Sequence, residues 1–224
     1  MQNENTKRMV TLAMMAALAY LMMAVVRIPI TPAPLVLKYE PKDILITIAG
    51  FIYGPLSAFL VSFVVTLIEM VTVSETGWIG AVMNLLSTVS FACLAAFVYK
   101  KNRTLKGAVI GLLLGVVAMV IVMLLWNYLL TPIYMGYPRE AVAAMLPTVF
   151  LPFNLIKGGL NAAITMILYK PLVITLRKAH LVPESSHLPE DKSGLHQISP
   201  GVMITAVICL ITLILFALVL AGKL

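Results

Sequence analysis

A chain of 224 residues that is 61% hydrophobic and only 11% charged, with a mean hydropathy of +1.02, carries too little charge for an ordinary soluble domain, which runs at roughly half apolar and a quarter charged. The composition predicts an integral membrane protein. At about 20 residues per span the length leaves room for six or seven helices joined by short loops, hence one compact bundle.

The first apolar run, Met9 to Val26, follows the short polar stretch "MQNENTKR". It is long and lacks a small-residue cleavage site, so it is expected to be a retained first span and not a signal peptide. The second, Ile44 to Tyr53, is too short to span unaided, and Gly54-Pro55 cuts it off from the third. A short, interrupted hydrophobic segment points to a binding site. It is preceded by "KYEPKD", in which Tyr39 and Glu40 could close over a site and Asp43 could cap the short helix. An ordinary solvated loop would carry the same charges.

Leu56 to Val73, Trp78 to Tyr99, Gly107 to Leu130 and Val149 to Tyr169 are each long enough to cross a bilayer. Ala179 to Pro200 reads as a solvated linker with His180, His187 and His196, whose spacing places no two on one helix face for a metal. Val202 to Ala221 is a seventh apolar run. Lys7, Arg8, Lys100, Lys101, Arg103, Lys106, Lys170, Arg177, Lys178 and Lys192 fall on one side, against Arg27, Lys38, Lys42, Arg139 and Lys223 on the other. That asymmetry predicts a cytoplasmic N-terminus. It also accounts for most of the +7 charge without a nucleic-acid partner.

Polar residues inside spans carry the functional signal, because each is costly in hydrocarbon unless it finds partners in the bundle interior. In "LPFNLIKGGLNAAITMILY", Asn154, Lys157 and Asn161 stand at i, i+3 and i+7, one stripe on one helical face. Each is a candidate ligand contact or a structural pair. Asn127 lies among Trp126, Tyr128, Tyr134 and Tyr137; the rings suit an interfacial belt, but a belt does not require an amide. Asn84 suits helix-to-helix bonding as well as a site. Two small-residue faces, Ala13 with Ala17 and Gly107 with Gly111 and Gly115, are each an internal contact or a docking surface. Cys93 and Cys209 lie in apolar runs and are given no role.

The sequence has no phosphate-binding G-x-x-x-x-G-K-[ST] loop, no H-E-x-x-H, no G-x-S-x-G elbow and no zinc-spaced Cys/His set. Glu69 and Glu75 are the only acids near a span end, and each is expected to sit alone, which argues against a membrane-embedded enzyme.

The ordered segments "YEPKDILITIAGFIYGPLSAFLVSFVVTLIEM", "TGWIGAVMNLLSTVSF", "NYLLTPIY" and "PFNLIKGGLNAAI" resemble the substrate-binding (S) components of energy-coupling factor (ECF) vitamin transporters, and within them the riboflavin-specific members. The resemblance covers about Thr6 to Arg177. It implies an all-α six-helix bundle over residues 1–178, with the vitamin held near the outer face under the first loop. Asn154, Lys157 and Asn127 are implied to hydrogen-bond the flavin, Glu40 to match an acidic outer-loop position and Trp78 to lie near the ring. Ala13 and Ala17 are implied to dock on a membrane-embedded coupling subunit joined to two ATPases, which would explain the missing phosphate loop. No cofactor is implied; riboflavin is the transported substrate, and the location is the bacterial cell membrane.

The departure lies at the C-terminus, where a linker (179–200) and an additional transmembrane helix (201–224) are expected. An S component for thiamine, pantothenate or folate, or a structural membrane subunit, would fit the same composition.

Overall fold

The computed structural model describes residues 2–31, 37–74, 76–181 and 200–220. Helix α1 (Gln2–Val25) leads into a hairpin of two short antiparallel strands, β1 (Ile28–Pro29) and β2 (Lys38–Tyr39), with Ile28 opposite Tyr39. Then come α2 (Lys42–Tyr53), α3 (Pro55–Thr72), α4 (Gly77–Lys101, with a π turn at Val89–Cys93) and α5 (Leu105–Met135). Helix α6 runs over 139–178 with a π turn at Leu146–Phe150, and α7 is Pro200–Leu220. Five of these, α1, α3, α4, α5 and α6, are long and apolar enough to cross a membrane. The hairpin marks one end of the bundle; the start of α1 and the end of α6 lie at the other. Glu75, His187, His196, Lys192 and Lys223, on which the sequence reading also drew, lie outside the described residues.

The short second run is a helix of 12 residues, about 18 Å long, and its shortness follows from its position. Every residue from Lys42 to Phe51 is buried, so α2 is the bundle's internal axis and begins below the surface. Its end is sharp because Gly54 takes a left-handed φ of 95° and Pro55 occupies the first turn of α3, the two residue types that reverse a chain at least cost. Ile44 and Ile48 of α2 meet Met15, Val61, Val65, Phe91, Leu112 and Met119 in the main core. Beyond α2, Phe51, Tyr99 and Tyr169 close the opposite end. Their ring centroids are 4.6 to 5.9 Å apart and the two tyrosine hydroxyls 2.8 Å apart.

The glycine face of α5 is internal. A Cβ on Gly111 would stand 2.7 Å from the Ala95 carbonyl oxygen, and one on Gly115 2.6 Å from that of Phe91. Helices α4 and α5 are therefore in backbone contact, as small residues permit in membranes. Ala13 and Ala17 of α1, by contrast, are exposed, beside exposed Met9, Val10 and Leu21.

Helix α7 packs on α6. Leu210, Leu213 and Ala217 cover a cluster of Ile30 and Tyr39 from the hairpin with Phe153, Ile156 and Leu160 from α6. Leu213 fits the notch at Gly159, where a Cβ would come within 2.7 Å of it. Of the expected linker, Leu181 is docked, its carbonyl accepting bonds from Thr11 and Tyr53.

Candidate binding cavity

At the hairpin end a cavity of about 180 Å³ lies among α3, α4, α5, α6 and the hairpin. Its apolar wall includes Met83, Met123, Tyr134, Phe150 and Phe153; its polar wall includes Arg27, Lys38, Glu40, Glu69, Asn84, Asn127, Asn154 and Lys157. An apolar lining with a few convergent polar groups is the usual form of a small-molecule site.

Helix α6 supplies the centre of that polar wall. The Asn154 side chain donates to the Phe150 carbonyl at 2.7 Å, within the turn that follows the π segment. Its Oδ1 is buried without a hydrogen-bond partner among the described residues. Leaving a buried amide oxygen unpaired costs about 1–3 kcal/mol, so a donor entering the cavity would find a ready acceptor. One turn on, Lys157 donates from Nζ to Ser87 Oγ at 3.3 Å and lies 3.8 Å from Asp43 Oδ2. Asn161 faces away from the cavity. It donates to Asp43 Oδ2 at 3.1 Å and accepts from the Tyr39 hydroxyl at 3.0 Å. Burial, with the Asp43 charge adding to it, holds the Tyr39 phenol well above its usual pKa, which keeps it a donor. Asp43 Oδ1 accepts from Thr88 at 2.7 Å.

A second cluster sits toward the hairpin. Lys42, fully buried, is bonded to Glu69 and lies 3.3 Å from Glu40. Arg27 is 3.0 Å from Glu40 and 3.9 Å from Glu69, and Asn84 donates to Glu69 at 2.7 Å. Cations Arg27, Lys42 and Lys157 thus stand against anions Glu40, Asp43 and Glu69, and buried charges survive in this arrangement because each is paired and hydrogen-bonded.

A substrate-specific component of an ECF transporter is the family whose model matches residues 7–169. This chain belongs to that S-component family. It is 30% identical to the riboflavin transporter FmnP of Bacillus subtilis, over 78% of this chain and 98% of the relative. It is 29% identical to the riboflavin transporter RibU of Staphylococcus aureus, over 78% and 95%. A solved S component of a bacterial ECF transporter superposes with a TM-score of 0.65 at 28% identity, covering 77% of this chain and 99% of that one. The S component is accordingly an all-α, multi-pass membrane protein.

Of the residues singled out from its sequence, the S component brings Asn154, Lys157, Asn127, Asn84 and Glu40 together on the cavity wall. Asn127 bonds within its own helix, donating to the Met123 carbonyl at 2.7 Å and accepting from Thr131 at 3.3 Å. Tyr39 is buried beside Asn161 and off the wall. Trp78 is 69% exposed: it opens α4 just after Gly77, whose φ of 58° turns the chain, and its ring stands apart from the cavity lining.

Two expectations are corrected. Asp43 is no helix cap; α2 has no side-chain cap bond at its N-terminus, and the buried Asp43 carboxylate is committed to Thr88, Asn161 and Lys157. Glu69 does not sit alone; it is the anion that Lys42 and Asn84 share. Arg27 and Glu69 line the cavity without having been expected there, and the buried Lys42 pairs with Glu69 behind the wall. An acid within the run Leu56 to Val73 was the available signal, since an unpaired carboxylate there would be costly.

Proposed function

We propose that this S component binds riboflavin in the cavity at the hairpin end and is the specificity subunit for its ATP-driven uptake. The observation that carries the reading is the orphaned Asn154 Oδ1 on the cavity wall, an acceptor awaiting an N–H, flanked by the Lys157 ammonium. The flavin ring system offers an N–H between carbonyls along one edge, so the amide and the ammonium together match its donor and acceptor pattern. Phe150, Phe153, Met83 and Met123 suit the apolar body of the ring, and Asn127 and Asn84 suit the hydroxyls of the ribityl chain. The names of the two relatives point the same way. At about 180 Å³ the cavity is smaller than the roughly 300 Å³ at which ligand pockets begin, so the flavin enters by displacing side chains such as Arg27 and Glu40.

In this reading residues 1–178 form the vitamin-binding domain, 179–200 a linker and 201–224 an added transmembrane helix. The N-terminus is cytoplasmic, and the exposed Ala13 and Ala17 meet a membrane-embedded coupling subunit joined to two ATPases. Titration of the purified chain with riboflavin, followed by quenching of flavin fluorescence, tests the core of it. Saturable binding at micromolar concentrations or below is expected; no binding in that range overturns the proposal.

A further inference from the structure

We infer that Asp43 is the positioning residue for Lys157: its buried carboxylate offsets the ammonium charge and aims it, so that the cavity presents the flavin ring edge with a fixed hydrogen-bond donor. This rests on the flavin site proposed above.

Asp43 is fully buried and absent from the cavity wall, whereas Lys157 is on it; Asp43 therefore acts on a ligand only through its neighbours. Its carboxylate cannot swing freely, because Thr88 of α4 holds one oxygen and Asn161 of α6 the other. Lys157 Nζ lies 3.8 Å from the second oxygen. Of the other cations nearby, Lys38 also lines the cavity, and two are occupied with the glutamates. Lys42, next in sequence, pairs with Glu69 and Glu40, and Arg27 pairs with Glu40 and Glu69. Among the described residues no other carboxylate forms an ion pair with Lys157. Removing the Asp43 charge would thus leave the Lys157 ammonium without its ion-pair partner and free to turn away from the ring edge.

The test measures the dissociation constant of the full-length chain for riboflavin in wild type, Asp43→Asn, Asp43→Glu, Lys157→Met and the Asp43→Asn/Lys157→Met double variant. Asp43→Asn is expected to weaken riboflavin about tenfold, and Asp43→Glu, which keeps the carboxylate, less. On the Lys157→Met background Asp43→Asn should leave riboflavin affinity unchanged within about twofold. Unaltered affinity in Asp43→Asn, or an equal loss on both backgrounds, overturns the inference. If Asp43→Asn does not fold, Thr88→Val, which loosens the carboxylate without changing charge, carries the test. It should weaken riboflavin when Lys157 is present and not when Met replaces it, and an equal loss on both backgrounds rejects the role. A wild-type chain that binds no flavin would remove the proposed function itself; a wild type that binds, with these variants behaving as Lys157-independent, removes only the part given to Asp43.

Discussion

Asn154 and Lys157 are buried polar residues in a helix otherwise built for hydrocarbon, and such residues persist where something answers them. Lys157 has Asp43 and Ser87; Asn154 has one answered atom and one that is not. Replacing either by alanine is expected to weaken riboflavin by about 1–3 kcal/mol, measured as the shift in dissociation constant against wild type. Unchanged affinity in both would move the site elsewhere. Glu69→Gln should act on stability as well, since it leaves the buried Lys42 with Glu40 as its one acidic partner; a loss of about 1–3 kcal/mol is expected, read from thermal unfolding in detergent. Replacing Lys42 by Met together with Glu69→Gln should recover much of that loss. At this scale the sequence was half legible. Asn154 and Lys157 share one helix, so their spacing placed them on one face before any fold was known. Lys42 and Glu69 lie 27 positions apart and meet across two helices, and no periodicity encodes such a meeting.

Among the elements, the two small-residue stripes looked alike in sequence and have opposite places in the bundle. The α5 glycines let a neighbouring backbone come close, while Ala13 and Ala17 face outward. Gly115→Val is therefore expected to push α5 off α4 and cost about 1–3 kcal/mol or more through overpacking. Ala17→Leu should leave folding and riboflavin affinity near wild type while impairing uptake when the coupling module is present. Thermal unfolding, titration and vesicle uptake of the two variants separate these outcomes; equal destabilisation by both would refute the assignment of faces. The span limits were readable from hydropathy, and the shortness of the second run was visible as an anomaly. That this run is the buried axis was not visible, because an apolar stretch looks the same whether protein or lipid surrounds it. The π turns in α4 and α6 were not visible either: they add a residue to a turn without altering the apolar pattern.

For the molecule as a whole, α7 stands outside the matched stretch, which ends at residue 169, yet it covers Ile156 and Leu160 and reaches Tyr39 and Ile30 of the hairpin. Lipid can replace it against α6, since hydrocarbon is as apolar as the leucines it would displace. A chain ended after Leu181 is thus expected to fold and bind riboflavin but to release it about three- to tenfold faster, because the hairpin beside the cavity loses a support. Stopped-flow displacement measures this; equal release rates would show that α7 has no hold on the site.

The buried axis carries one more consequence, for permeation. Helix α2 and the ring trio of Phe51, Tyr99 and Tyr169 fill the space between the cavity and the far end of the bundle. Among the described residues, a molecule held at the hairpin end therefore faces packed side chains along the bundle axis. On the proposed function, cargo and cavity cross together or that packed axis is displaced.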